Sequence, residues 1–404
     1  MSCRFQVKRT IDVNDSTKEG ACICVVDTKT GFFKVHPISK FILNEFTNSF
    51  NTQKSAAEEI KKFINWIFID NYEEFGVSSF AQLRIEDGVM YLNDLKRKRV
   101  SGNETVSRST LKTVNRYLSR FYYFLSKEGI LEEKLTPVYQ LNSNGKHYLV
   151  SPFIGKGFSL PPKNDLRLSN KLKAFPTDSL ISYFIEVSRK VAPEITLGIY
   201  FQFFGGLRKG EVVNLTRSSL ILKGLYGKEG VEVIIKDQTS SLFLHYKDAS
   251  KNQVKKQRTQ IIQRLPYMSQ IVEYHFKHIL NSSPENVTAL FINSQGNPMT
   301  GAVYENRFKK VKKNFLKLLE GSQFFSLLSK TSWSTHIGRG IYTNLMAKLV
   351  SSPQELAILR DDSSLETSIG YMSSHRLQIE IETGLEKMWE NGDFKYERDE
   401  DDHR

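Results

Sequence analysis

The chain has 404 residues, of which 40% are hydrophobic, so the sequence predicts two or three folded domains and excludes a disordered chain. Its formal net charge of +13 favours a polyanionic partner, and nucleic acid is the commonest one. The sequence contains no apolar run long enough to cross a membrane, so no membrane partner is expected.

Residues 1–36 predict a small β-rich segment. Two runs of alternating hydrophobicity flank Asp27 and Gly31, a pattern typical of a hairpin. Cys22 and Cys24 lie on one face of the first run and have no further ligands near them, so no metal site is predicted. The cysteines make no disulfide framework and the amino terminus lacks an apolar signal core, so we expect a cytoplasmic protein.

Residues 37–135 predict a helical domain. Ser55 and Glu58 fit a capping box that would begin one helix, and an apolar stripe follows them. The clearest helix covers residues 105–128. Its core face recurs at a spacing of three and four residues and comprises Leu111, Val114, Leu118, Phe121, Tyr122 and Leu125.

Basic residues line the other side of this helix and also precede it. Such a row is usually a solvated helix face. Few acidic residues interleave here, which favours a surface that contacts the phosphates of nucleic acid. The residues assigned to this surface are Lys96, Arg97, Lys98, Arg99, Arg108, Lys112, Arg116 and Arg120.

Residues 136–172 predict a linker, because prolines, glycines and asparagines are frequent there and the hydrophobic periodicity is weak. A second domain is expected over residues 173–390, followed by an acidic tail over residues 391–404. Three stretches of the second domain alternate with a period of two and predict a small antiparallel sheet: VEVIIKD, SLFLHYKD and RTQIIQRL.

Two polar motifs stand out in the second domain. GGLRKGEVVNL places Arg208 after two glycines and Glu211 three residues later, where flanking apolar residues predict a buried carboxylate paired near Arg208. WSTHIGRG places His336 and Arg339 on one face of a helix, and Tyr371 follows 35 residues after His336. Taken singly, each of these residues is more often structural. Their order and spacing together favour a functional site.

The motif order resembles the tyrosine recombinase (phage integrase) family, in which an arginine box is followed by H-x-x-R and then by a tyrosine. The helix over residues 105–128 is similar to the family's core-binding domain, which clamps one side of duplex DNA. The resemblance implies a mainly α fold with a small antiparallel β-sheet. A helical, SAM-like core-binding domain would precede an α+β tyrosine-recombinase catalytic domain.

The resemblance also implies an activity. The chain would be a site-specific DNA recombinase, an integrase or transposase of a bacterial mobile element. It would cut and rejoin duplex DNA through a 3′-phosphotyrosyl link, without ATP, a metal ion or any other cofactor. Arg208 and Arg339 would hold the phosphate, Tyr371 would attack, and His336 would either accept the proton of the tyrosine or orient the phosphate as a hydrogen-bond donor. Dimers and tetramers would form on double-stranded DNA, with accessory recombination proteins as further partners and a nucleoid location when DNA is bound.

The family's catalytic lysine lies in a β-hairpin, which implies a lysine between the last two predicted strands. Lys251 is the first candidate and Lys247 the second, and the length of this turn leaves both open. Lys255, Lys256 and Arg258 of the same turn are assigned to DNA binding, although a lysine-rich turn is otherwise usually a solvated hairpin tip.

Two positions depart from the family's pattern. Asp362 stands nine residues before Tyr371, where the family usually has histidine or tryptophan, and a carboxylate there would repel the scissile phosphate. Either Asp362 turns away or another residue such as His375 takes the place. Gly340 stands where the family often has histidine. The Asp362 departure leaves open a relative that only binds DNA. Nicking and closing of the type IB topoisomerase kind also stays open, because it uses the same residues.

Overall fold

The computed structural model describes residues 3–11, 19–47, 50–101, 104–141, 145, 147–162, 171–243, 251–282, 285, 287–360 and 369, with the backbone alone for residues 99–101 and 104. The chain divides into two compact units, residues 1–167 and 168–404. This division falls inside the stretch predicted as a linker, and the predicted domain boundaries stay a prediction.

An antiparallel sheet begins the first unit, with its strands in the spatial order β1 (Cys3–Ile11), β2 (Glu19–Asp27) and β3 (Phe33–Val35). The predicted hairpin is confirmed, since β2 pairs with β3 across a turn in which the Asp27 carboxylate accepts from the Lys29 amide at 2.8 Å. Ala21 and Ile23 of β2 are fully buried in the same core as the helices. The sheet and the helices of this unit are therefore packed as one body.

The rest of the first unit, as far as the structure describes it, is mainly helical. The six apolar residues predicted for the core face of its longest helix are each at most 2% exposed, which confirms that face. In chain order the elements are α1 (Ser39–Glu45), α2 (Phe50–Asn65), α3 (Tyr72–Phe75), α4 (Ile85–Arg97), β4 (Arg99–Ser101), β5 (Glu104–Thr105), α5 (Arg108–Lys127), β6 (Tyr139–Leu141) and β7 (His147–Leu149).

The start of α2 differs from the prediction. Ser55 and Glu58 do not cap this helix, because it begins at Phe50 and both residues lie inside it. The earlier start has a tertiary cause: the side chain of Gln53 is buried and accepts a hydrogen bond from the Ala21 amide of β2 at 3.1 Å. The first turn of the helix is thus attached to the sheet, a contact that the local sequence pattern does not contain.

The second unit places helices around one small sheet, whose antiparallel strands lie in the order β10-β9-β8. In chain order the described elements are α6 (Ser179–Val191), α7 (Thr196–Gly205), α8 (Lys209–Val213), β8 (Leu220–Lys223), β9 (Gly230–Ile235), α9 (Thr239–Leu242), β10 (Arg258–Ile262), α10 (Met268–Tyr274), α11 (Gly301–Leu318), α12 (Phe325–Lys330), α13 (Ile337–Ala347) and α14 (Pro353–Arg360).

Helix α7 is the centre of this unit, and every one of its residues is buried. A cluster of aromatic rings packs beside it: Phe175 stacks on Phe315 with ring centroids 5.5 Å apart, and Phe184 contacts both of them. A helix that is apolar on all sides is stable only where other elements surround it. The chain that follows α7 stays buried up to Leu207, and Arg208 is its first partly exposed residue.

The small sheet is confirmed, but the start of one predicted strand is wrong, and the rest of that strand lies outside the described residues. SLFLHYKD does not form a strand over its described residues, because Ser241 and Leu242 belong to α9. Asp237 and Gln238 begin this helical turn: the Asp237 carboxylate accepts from the Thr239 amide at 3.0 Å, and Gln238 accepts from Ser241. The third strand is instead β8, which pairs with β9.

The fold class is confirmed as mainly helical with small antiparallel sheets. None of the helices that the structure describes has the length and apolarity needed to cross a membrane.

His275 should make the second unit sensitive to acid. Its Nε2 lies 2.8 Å from the Leu290 carbonyl, and burial lowers its pKa from 6.5 to about 4. The unfolded chain takes up a proton as the pH falls below 6.5, whereas the folded chain does so only near pH 4. Stability is therefore lost across this interval, by roughly 3 kcal/mol. Urea unfolding across the interval should show this loss in the wild type and much less of it in His275→Gln.

His278→Gln is the matched control, because His278 is exposed and lies three residues further along. It should keep the wild-type dependence on pH. An equal dependence in His275→Gln and the wild type would show that His275 is not the group responsible.

Candidate active site

Arg208 emerges at a sharp turn after the buried helix α7. Gly206 ends that helix with a φ of 66°, and a Cβ atom at this position would lie 2.5 Å from Cδ1 of Tyr342. Both the positive φ and the close approach of the ring require glycine. The chain then becomes extended at Arg208 and enters α8. Gly206 thus allows the turn that brings Arg208 out of the core.

Glu211 is fully buried and binds two arginines. Its Oε1 accepts from Nη1 of Arg208 at 2.9 Å and from Nη1 of Arg258 at 2.8 Å. Its Oε2 accepts from the Arg208 amide at 2.8 Å and from Nη2 of Arg258 at 3.0 Å. Burial by itself would raise the pKa of Glu211, but the bonds and charges of Arg258 and Arg208 outweigh burial and lower it. The carboxylate therefore stays ionised and fixes the direction of the Arg208 side chain.

The structure corrects the assignment of Arg258 to DNA binding. The sequence places Arg258 among the surface cations that contact DNA, but only 7% of its side chain is exposed and its guanidinium binds Glu211. It is the first residue of β10, so the sheet positions it. A buried carboxylate needs a bidentate partner, and Arg258 supplies one. This arginine is part of the support of the site.

His336 and Arg339 lie at the start of α13, three residues apart. Nη1 of Arg339 donates to the Gly206 carbonyl at 3.0 Å, so this arginine contacts the turn that leads to Arg208. Its Nη2 donates to the Arg360 carbonyl at 2.7 Å, at the end of α14. Arg339 therefore connects three segments that are distant in sequence.

Close packing of α13 on α7 brings the two motifs together. A Cβ atom at Gly338 would lie 2.7 Å from Cβ of Gln202, so glycine is needed at this helix crossing. The buried Gln202 side chain then donates to the Thr335 carbonyl at 3.4 Å and accepts from the Tyr304 hydroxyl at 2.8 Å. These bonds satisfy the polar groups at the crossing and place His336 beside the arginines.

His336 faces a group of cations. Partial burial of the ring lowers its pKa, and the charges of Lys209, Arg208, Lys255 and Arg339 lower it further. A histidine with a lowered pKa is neutral at neutral pH and can accept a proton. The structure therefore brings Arg208, His336 and Arg339 to one place, with Lys209 and Lys255 close to it.

Lys251 extends from a loop whose backbone is firmly packed. The neighbouring Asn252 is buried, and its Oδ1 accepts from the Gly301 amide at 2.6 Å. A Cβ atom at Gly210 would lie 2.3 Å from the Gln253 carbonyl oxygen, so the loop also touches α8. The Lys251 side chain is 55% exposed, and its Nζ lies 3.6 Å from Oε2 of Glu305. Lys255 and Lys256 are exposed in the same loop.

Four residues of the predicted site lie outside the described residues: Tyr371, Asp362, Lys247 and the substitute His375. The last described residue before the masked stretch that contains Asp362 is Arg360, whose carbonyl oxygen accepts from Arg339. Their roles stay predictions.

The basic row of the first unit is exposed to different degrees. Lys112 and Arg116 are exposed on α5, whereas Arg120 lies 3.4 Å from Glu45 and stacks on Phe46. The other members range from partly buried to exposed. Arg108 is partly exposed, Lys96 donates to the Ser159 carbonyl at 3.0 Å, Arg97 and Lys98 are exposed, and the side chain of Arg99 lies outside the described part of the chain.

No protein-family model and no curated protein matches the chain. Among solved structures, the chain is similar to the Tn1549 transposon integrase in complex with circular intermediate DNA, with a TM-score of 0.52, 14% identity and coverage of 85% of this chain and 98% of that one. It is also similar to the XerH site-specific recombinase bound to difH substrate, with a TM-score of 0.50, 15% identity and coverage of 84% and 81%. The chain has the tyrosine recombinase fold.

Within this tyrosine recombinase fold, Gly340 has a local explanation. A Cβ atom there would lie 1.7 Å from the Lys173 carbonyl oxygen, so the backbone that enters the second unit occupies the space a side chain would need. The histidine that the family often has at this point cannot fit.

Two residues of the site were missed by the sequence reading. Lys209 follows Arg208 directly and its charge lowers the pKa of His336, and Glu305 of α11 accepts from Lys209 at 2.7 Å. Lys209 lies inside the GLRKGE motif, which is the signal that could have indicated it. Glu305 lies 96 residues after Lys209 in a lysine-rich helix, and no local pattern distinguishes it.

Glu211→Gln should destabilise the second unit strongly. The amide keeps the shape of the side chain, but Arg208 and Arg258 then have no buried counter-charge. Removing one partner of a buried ion pair costs about 3–5 kcal/mol. Urea unfolding measures this loss. Glu273→Gln is the control, because it removes the partner of an exposed ion pair with Lys277 and should change stability little. Equal effects of the two substitutions would contradict the supporting role of Glu211.

Proposed function

We propose that this chain is a site-specific DNA recombinase that cuts and rejoins duplex DNA through a covalent 3′-phosphotyrosyl intermediate. The observation that carries the proposal is the convergence of Arg208, His336 and Arg339 in a tyrosine recombinase fold. Solved structures with this fold include a transposon integrase and a site-specific recombinase, each in complex with DNA. An origin in a bacterial mobile element agrees with that similarity.

The two arginines suit a phosphodiester. The scissile phosphate is an anion and gains charge on its non-bridging oxygens when it is attacked. Guanidinium groups remain charged and offer several N–H donors in a plane, which a lysine does not. Arg208 is already directed by its bond to Glu211, and Arg339 by its bonds to Gly206 and Arg360. Groups fixed in advance stabilise a transition state without reorganising during the reaction.

The proton transfers follow from the remaining groups. A tyrosine phenol ordinarily has a pKa of about 10, so Tyr371 needs a proton acceptor to become a nucleophile. Neutral His336 is that acceptor. As the new O–P bond forms, the bond from phosphorus to the 5′ oxygen breaks, and Lys251 gives its proton to that oxygen. Lys247 is the second candidate for this last role. The phosphotyrosyl link conserves the bond energy, so rejoining needs neither ATP nor a metal ion.

The first unit would contribute affinity for the DNA backbone. Lys112 and Arg116 are exposed on α5, in a helix whose described residues include no aspartate or glutamate. Cations in such a row contact phosphates independently of base sequence. Assembly as a dimer and then a tetramer on double-stranded DNA, with accessory recombination proteins, belongs to the same proposal.

The double variant Lys112→Ala/Arg116→Ala should bind duplex DNA more weakly and with less dependence on salt. Each lost phosphate contact lowers the slope of log K against log salt by about 0.9, so the slope should fall by about 2. Fluorescence anisotropy over a salt series measures it. Lys134→Ala/Lys156→Ala is the control with the same loss of charge, since both lysines are exposed in loops of the same unit. If the two double variants have equal slopes, α5 does not contact the phosphates.

The covalent intermediate provides the decisive test. Wild-type protein is incubated with a pool of nicked duplexes that carry a randomised recognition segment, in the presence of a chelator. The nick lets the cleaved strand diffuse away, so the protein stays attached to DNA. We expect a covalent adduct with the wild type and none with Tyr371→Phe, measured on a denaturing gel, and sequencing the trapped DNA then identifies the site.

Tyr183→Phe removes a hydroxyl from a partly exposed tyrosine of α6 and should leave adduct formation unchanged. DNA binding by the wild type without any adduct would contradict the proposed reaction and leave a protein that only binds DNA.

A further inference from the structure

Three ammonium groups converge on the carboxylate of Glu305. Nζ of Lys209 lies 2.7 Å from its Oε2 and Nζ of Lys251 lies 3.6 Å from the same oxygen. Nζ of Lys309 lies 3.2 Å from Oε1. The Lys209 bond, followed by the other two lysines, outweighs burial and lowers the pKa of Glu305 to about 2. The carboxylate is therefore ionised at every pH at which the protein would act.

The two lysines that matter here come from different elements. Lys209 is the first residue of α8 and follows Arg208, whereas Lys251 belongs to the loop before β10. Glu305 lies on α11, between them. Glu305 therefore adds a side-chain contact among α8, α11 and the loop, whose backbones also touch at Gly210 and Gly301.

The Lys251 loop is fixed at its backbone but not at the end of its side chain. A Cβ atom at Gly301 would lie 2.3 Å from the Lys251 carbonyl oxygen, so the loop touches the start of α11. The side chain itself is 55% exposed. A long, exposed lysine side chain samples many rotamers unless a partner restrains it. The contact with Glu305 narrows the range of positions that its ammonium group occupies.

Lys209 interacts with both Glu305 and His336. Its charge acts on His336 beside those of Arg208, Lys255 and Arg339. The Lys209 ammonium is bonded to Glu305 at 2.7 Å, so the carboxylate keeps this lysine on the α11 side of the site. The phosphate-binding guanidiniums of Arg208 and Arg339 have other partners, Glu211 and two backbone carbonyls. Glu305 therefore acts on the lysines and not on the arginines.

We propose that Glu305 is a positioning residue for strand cleavage, which keeps Lys251 in place to protonate the leaving 5′ oxygen. This inference rests on the proposed function. In the step concerned, the Tyr371 oxygen bonds to phosphorus and its proton passes to His336. The bond between phosphorus and the 5′ oxygen breaks, and the proton of Lys251 goes to that oxygen. Glu305 touches neither the phosphate nor the tyrosine, and acts through the lysine.

The experiment compares two leaving groups. The nicked duplex selected from the random pool is made once with oxygen and once with sulfur at the bridging 5′ position. A thiol has a pKa of about 8.5, so sulfur leaves as a thiolate and needs no proton from a lysine. A defect in positioning the proton donor should therefore disappear with sulfur, whereas a defect in folding, DNA binding or phosphate contact should persist.

With oxygen, Glu305→Gln should form the adduct about tenfold more slowly than the wild type, a modest part of what a proton donor contributes. With sulfur, its rate should equal that of the wild type. Lys251→Ala should show the same pattern with a larger loss. Arg208→Ala should be slow with both substrates. Glu194→Gln, which removes the partner of Arg307 on the same helix α11, should match the wild type with both.

Two results would overturn the positioning role. One is an unchanged rate of Glu305→Gln with oxygen. The other is an equal loss with oxygen and sulfur, which assigns Glu305 to folding or to DNA binding. A wild-type protein that forms no adduct with either substrate overturns the proposed function as well. An active wild type with no effect of Glu305→Gln overturns this inference alone.

Discussion

The site depends on a carboxylate that has no contact with water. Glu211 is fully buried and can remain ionised only because two guanidiniums and one backbone amide surround it. An ionised group in the interior costs several kcal/mol unless its partners are well placed. The fold must therefore bring Arg208 and the first residue of β10 to one point. The same bonds to Glu211 hold Arg208 in place where it faces the surface. The stability of the core and the geometry of the site therefore depend on the same interactions.

Four glycines allow the close backbone contacts that shape the rest of the site. Gly206 turns the chain under the Tyr342 ring, and Gly338 lets α13 approach α7 closely. Gly210 and Gly301 do the same for the loop that holds Lys251. At each of these contacts a single methyl group would meet another residue at 2.7 Å or less. A cationic site assembled from distant segments thus relies on positions that carry no side chain.

The sequence predicts this molecule unevenly, for physical reasons. Hydrophobic periodicity identified the core face of α5, because burial of that stripe is what stabilises the helix. It failed at residues 241 and 242, where hydrogen bonds of Asp237 and Ser241 begin a helical turn. The capping-box pattern, not the periodicity, failed at α2, whose first turn is attached to β2 through Gln53. Charge and motif order indicated Arg208, His336 and Arg339. They could not separate Arg258 from the surface lysines or find Glu305, because burial and long-range pairing are properties of the fold.

Because Gly340 contacts the backbone of Lys173, the substitutions allowed at these two positions depend on each other. A side chain at residue 340 becomes possible only after the backbone near residue 173 has moved away, since 1.7 Å leaves room for no atom. Substitutions at the two places are therefore epistatic: the order in which they occur decides whether the intermediate protein folds. A catalytic histidine could not be introduced here by one codon change. Anyone who redesigns this chain would first have to reroute the segment through which it enters its second unit.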